Sequence, residues 1–175
     1  MTATRLAARR LIGMRLAAIQ WFRCMTMSDA GLAVFDKTLQ TTQHWLDELC
    51  SALGESRQVA WKVLSVVLHI LRDRLPLDLA AHLGAMLPLL VRGAYYDQFV
   101  PNRLPFKGGF DAFVDEVAQG LARTRGVAPH DAMRAVFALL SAHLDRGQVD
   151  KVQHALPADL RQFWLNARAG SSSAV

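Results

Sequence analysis

Leu87-Pro88-Leu89-Leu90-Val91-Arg92-Gly93-Ala94-Tyr95 is matched 69 residues later by Leu156-Pro157-Ala158-Asp159-Leu160-Arg161-Gln162-Phe163-Trp164. Leucine, proline, arginine and an aromatic recur in register, with a branched aliphatic residue (Val91, Leu160) between them. Proline cannot donate a hydrogen bond inside a helix but fits its first turn, so each Leu-Pro ends one helix and opens a short next one. At the same offset Val67, Leu71 and Leu75 meet Val136, Leu140 and Leu144. Trp45-Leu46-Asp47-Glu48-Leu49 and Phe113-Val114-Asp115-Glu116-Val117 agree at an offset of 68, so one residue is inserted between the two blocks. A unit of this length lies outside solenoid periods of about 20–50 residues and points to duplication of one small bundle. The expected fold is all-α, two pseudo-repeated bundles of three to four helices packed in one compact body.

Outward from these anchors, helix is the only regular structure that the apolar spacing supports. Leu39, Trp45, Leu46, Leu49 and Leu53 step by three and four residues and stop near Gly54. Ser56 is placed to cap a second helix, in which Val59, Val63, Val67, Leu71 and Leu75 recur every fourth residue before Pro76. A third helix spans Leu77 to Met86, and a fourth Leu89 to Tyr95. Residues 27–99 thus form the first repeat. Residues 100–109, with Pro101, Pro105 and Gly108-Gly109, form a linker. The second repeat, 110–166, is expected to comprise Phe110 to Arg123, Pro129 to Leu144, a turn at Asp145-Arg146-Gly147, Gln148 to Ala155, and Pro157 to Asn166. Residues 167–175 read as a small, serine-rich, disordered tail.

Residues 1–26 carry Arg5, Arg9, Arg10, Arg15 and Arg23 and no acid. This segment fits a transit peptide, a surface-binding membrane helix, or a start placed ahead of the true one at Met25 or Met27, which is the preferred reading. From Met27 onward 15 basic residues face 15 acidic ones. The net +5 therefore belongs to the leader, and the body lacks the clustered cations that drive phosphate binding. No nucleic-acid partner is expected. Cys24 and Cys50 stand apart with no paired spacing, which favours a reducing, cytoplasmic setting. The most apolar stretch, Leu75 to Val91, is broken by Asp78, His82 and two prolines, so no transmembrane segment is expected.

Several groupings suggest chemistry. Ser65, His69 and Asp73 share one helical face, but rigid spacing along one helix seldom lets a base reach a nucleophile, and their counterparts are Arg134, Ala138 and Ala142. A hydrogen-bonded polar seam is the expectation, with no catalytic residue. His44 with Asp47 or Glu48, and Asp78 with His82, have helical ligand spacing. A metal site needs three or four convergent ligands, and the counterparts of His44, His69 and His82 are Ala112, Ala138 and Lys151. No metal and no cofactor are expected. The recurring acids Asp47-Glu48 and Asp115-Glu116 point in different directions on a helix and suggest structural ion pairs, with Arg92 and Arg161 as partners. Arg92, Tyr95, Tyr96 and Phe99, beside Arg103 and Lys107, combine aromatics with cations as binding surfaces do. The same residues also suit core packing, since the short fourth helix must bury an aromatic to dock.

The strings Phe35-Asp36-Lys37-Thr38-Leu39, Trp45-Leu46, Leu68-His69-Ile70-Leu71-Arg72-Asp73-Arg74-Leu75-Pro76 and Leu87-Pro88 through Tyr95-Tyr96 together resemble a bacterial family known as domain of unknown function 2267. The likeness continues through Phe113, Ala135-Val136, Leu144 and His154-Ala155-Leu156-Pro157-Ala158-Asp159-Leu160, and covers about Ser28 to Trp164. Met86 stands where the family often has glutamine, and Phe99 where it often has tryptophan. The resemblance implies a small, soluble, all-helical protein and supplies no activity. The expected function is therefore a non-enzymatic protein-interaction or adaptor domain with an unknown protein partner. The alternative is a small-ligand binder with its pocket at the repeat junction, near Arg92, Tyr95 and Tyr96.

Overall fold

Gly54 and Ser56 set the first boundary. The computed structural model describes residues 33–101, 108–124 and 126–171. Helix α1 (Ala33–Leu53) ends where Gly54 turns to a φ of +69°, a conformation open to glycine, and its N–H bonds to Cys50 O at 2.8 Å. Ser56 then caps α2 (Arg57–Asp73), its hydroxyl accepting from Val59 N. Pro76 and Pro88 open α3 (Leu77–Met86) and α4 (Leu89–Tyr96). After α5 (Phe110–Gly120) and α6 (Pro129–His143) come α7 (Arg146–Ala155) and α8 (Ala158–Ser171). All regular structure among the described residues is helical, and none of these helices is long and apolar enough to cross a membrane.

The second half departs from expectation in three places. Helix α5 stops at Gly120 rather than Arg123. The expected turn at Asp145 to Gly147 is instead a helix start, because Asp145 Oδ1 accepts from Gln148 N at 3.1 Å and so satisfies an unpaired first-turn amide. Helix α8 runs past Asn166, and Ala167 is buried, so residue 167 belongs to the folded body rather than to a tail. The leader, most of the linker and residues 172–175 lie outside the described residues.

The chain divides into Met1–Lys37, of which only the start of α1 is described, and Thr38–Val175. Within Thr38–Val175, α2 is central. It buries Val63, Leu64, Val67, Leu68 and Leu71, and packs against α4, α5 and α6. Helix α6 meets α5, α7 and α8, while α3 touches α4 and α7. Short helices are unstable alone and need a packed face. Helix α4 is held by the fully buried Tyr95, and α8 by Trp164, whose indole stacks on Phe137 at 4.3 Å. Two glycines let neighbours close in: a side chain on Gly84 would meet the Tyr96 ring, and one on Gly120 would meet Val66.

Candidate functional site

The aromatic cluster singled out from sequence divides between core and surface. Tyr95 is fully buried and its hydroxyl donates to Ala80 O at 2.8 Å, tying α4 to α3. Burial pushes its phenol pKa well above the ordinary value, and Tyr96 adds to the shift. Tyr96 is exposed, while Phe99 is half-buried beneath a guanidinium. That guanidinium belongs to Arg72, which is 3% exposed and bonds Asp73, the Tyr95 carbonyl and the Asp97 carbonyl. Arg103 and Lys107 lie outside the described residues.

Arg92 and Arg161 take partners other than the expected acids. Arg92 Nη2 donates to Ala85 O at 2.6 Å and Leu87 O at 3.1 Å. Arg161 donates to Gln153 O, His154 O and Leu156 O at 3.1 to 3.2 Å. Both return from a post-proline helix to the carbonyls left where the preceding helix stops, which also suits the negative end of its dipole. The acids pair elsewhere. Asp47 meets Arg57 at 2.7 Å, and Asp115 is exposed. Glu116 on α5 receives both terminal nitrogens of Arg74 at 3.0 Å. Glu48 on α1 lies 3.0 Å from His44 and 2.8 Å from His143 at the end of α6. Glu48 and Glu116 stand at the 68-residue offset, and Arg74 and His143 at the 69-residue offset, so α1 reaches the end of α6 as α5 reaches the end of α2.

Ser65, His69 and Asp73 do not converge. Ser65 Oγ donates to Trp61 O, His69 Nε2 meets Ala94 O, and Asp73 accepts from Arg72. The three groups are held one by one by separate partners.

An open hollow of about 670 Å³ lies away from the aromatic cluster, lined by Ala52 of α1, Asp131, Arg134, Ala135 and Ala138 of α6, and Phe163, Asn166 and Ala167 of α8. A second, of about 150 Å³, shares Ala52, Ala135 and Ala138 and continues to Ala142, Leu49 and Glu48. The two make one trough along α6. From Asp131 to Ala142 it follows about 16 Å of helix axis, three turns at about 1.5 Å per residue. Its floor is alanine; Asp131 and Arg134 face each other at 3.6 Å, and Glu48 stands at the other end. Sequence reading missed it because single alanines on one helix face carry no signal until α1 and α8 flank them. Arg72, Arg74 and His143 escaped notice for a related reason, since their partners lie 23, 42 and 95 residues away.

No curated protein matches the chain. The model of a family described as an uncharacterised conserved protein, DUF2267, matches residues 42–163. This span takes in α2 through α7, most of α1 and the start of α8, including the arginine-capped helix ends and the trough lining apart from Asn166 and Ala167, and the chain belongs to that family.

Proposed function

We propose that the protein is a non-enzymatic interaction module whose trough between α1, α6 and α8 receives an amphipathic helix of a partner protein. The observation that carries this reading is the trough's shape, three helical turns long and floored by Ala135, Ala138 and Ala142. Small residues let a second backbone approach closely, and an i, i+3, i+7 ladder of apolar anchors is the pattern a groove of this length accepts. A metabolite pocket converges several unpaired polar groups on a short ligand. Here Asp131 and Arg134 form an exposed ion pair, and the remaining lining is mostly apolar. Ala52 from the first half of the chain, with α6 and α8 from the second, supports reading the trough as an inter-repeat groove. The reciprocal reach of Glu48 and Glu116, and the matched carbonyl caps of Arg92 and Arg161, support the duplication. Cys50 is a free thiol, in keeping with a reducing, cytoplasmic setting.

A volume of about 670 Å³ also falls in the range of small-molecule sites, which keeps a ligand binder as the second reading. A photo-crosslinking residue at Ala135 or Ala138, compared with one at exposed Lys62, separates the two. The helix reading expects crosslinks from the trough positions alone, mapping to an amphipathic helix of one partner and lost in Ala142→Glu. If no protein crosslinks and a metabolite instead raises Tm, the ligand reading replaces it.

A further inference from the structure

The Glu48 carboxylate is shared by two imidazoles. His44 Nε2 lies 3.0 Å from Oε1, and His143 Nε2 lies 2.8 Å from Oε1 and 2.9 Å from Oε2. The three ligand atoms all fall within 4.8 Å of one another. His44 and Glu48 are one turn apart on α1, so their side chains overlie each other. His143, the last residue of α6, is brought to them by the packing of the two helices. Its ring is braced by the buried Trp45 indole at 5.2 Å and stands edge-on to His44 at 5.6 Å.

The matching place in the other half shows what this corner needs for folding alone. There the acid is Glu116, its partner is Arg74, and the counterpart of His44 is Ala112. An arginine fork closes that carboxylate with two hydrogen bonds and needs no third residue. At Glu48 the arginine is replaced by His143 and a second imidazole is added. Two imidazole nitrogens and a carboxylate oxygen form a donor set that suits zinc, cobalt, nickel and copper rather than magnesium or calcium. Around a tetrahedral ion with bonds of about 2.0–2.1 Å, ligand atoms stand about 3.3 Å apart, a few tenths wider than the two histidine–glutamate spacings. The side chains are 66%, 37% and 24% exposed for His44, Glu48 and His143, so an ion reaches them directly from solvent.

We propose that His44, Glu48 and His143 form a site for one divalent transition-metal ion of the zinc type, with its fourth position left to water or an incoming ligand. Each imidazole coordinates through Nε2, with its remaining proton on Nδ1. Glu48 also lines the end of the trough, but the three ligands come together within this chain and the site does not rest on a helix bound there.

The test uses the full chain, stripped with a chelator and titrated with zinc chloride by calorimetry and with Co²⁺ by visible absorption. The expected result is one ion per chain and the intense visible bands of four-coordinate Co²⁺. Glu48→Gln and His143→Ala each weaken binding by more than about 100-fold, because loss of a ligand exceeds the effect of losing an outer partner. His82→Ala, on an exposed histidine elsewhere, leaves binding unchanged. Should His143→Ala fail to fold, the exposed His44→Ala carries the same expectation. Absence of zinc binding, or binding undiminished in these ligand variants, overturns the site and leaves a hydrogen-bonded cluster only.

Discussion

Three carbonyls at the end of α7 receive one guanidinium, that of Arg161. A charged donor to a carbonyl contributes about 1.5–3 kcal/mol, so Arg161→Met, which keeps the apolar stem, lowers unfolding free energy in urea by about that much. Asp115→Ala, at an exposed acid, changes it by less than about 0.5 kcal/mol. Comparable losses from both would revive an ion pair between them. Tyr95 makes a second residue-scale prediction. Its folded pKa is raised by burial, so near pH 10 and above the unfolded chain releases a phenolic proton that the folded chain keeps. Stability is therefore full below the unfolded pKa and falls as pH climbs towards the folded one, by up to about 1.4 kcal/mol per pH unit. Tyr95→Phe loses about 1 kcal/mol at neutral pH with the bond to Ala80, and flattens the alkaline decline measured by denaturant titration. An unchanged alkaline slope would count against burial of the phenol.

At the scale of the element, the reach of α5 to the end of α2 is the most consequential contact. Arg74 is nearly inaccessible, packs over the Phe113 ring at 4.7 Å and is neutralised by Glu116, which is about one-third exposed. Removing the acid takes two hydrogen bonds and the opposite charge from a buried guanidinium. With the exposed side of Glu116 discounted, Glu116→Ala costs about 2–4 kcal/mol in equilibrium unfolding. The α2–α5 approach is as tight on its apolar side, where Gly120 faces Val66. Gly120→Ala destabilises by about 1–3 kcal/mol through overpacking, although alanine is the better helix former. Adding Val66→Ala recovers part of that loss, and a double-mutant cycle that comes out additive would show that the two residues do not meet. Of the recurring acids, Glu48 and Glu116 face the end of a helix in the other half of the chain, whereas Asp47 pairs with Arg57 ten residues on and Asp115 is exposed.

Across the body from Thr38 onward, the aromatic core of α5, α6 and α8 joins what the sequence presents as separate segments. Phe137 stacks on Trp164 at 4.3 Å and meets Phe113 edge-on at 5.9 Å and Phe163 at 6.2 Å. Phe137→Ala opens a cavity among these rings and costs about 3–5 kcal/mol. Because α6 also packs on α2, helix content and tryptophan fluorescence should be lost in one transition. Separate midpoints for the two signals would mean that the halves unfold independently. The trough and the histidine pair arise at this same scale, since each is lined by residues from α1 and from α6.

What the sequence determined was local. Gly54, Ser56, Pro76, Pro88 and Pro157 set helix ends through backbone conformation and capping, and the apolar spacing of α2 set its buried face, all within a turn or two of chain. Asp145 and Ala167 are ambiguous even at that level, the one because a cap and a turn share a residue type, the other because a small residue looks alike in tail and core. Tertiary structure alone decided where Arg92 and Arg161 point, which acid neutralises Arg74, that Tyr95 is core while Tyr96 is surface, and that His143 stands beside His44 and Glu48. Those outcomes depend on helix packing that brings together groups up to 95 residues apart, and side-chain type fixes what a group can bond without fixing what it meets.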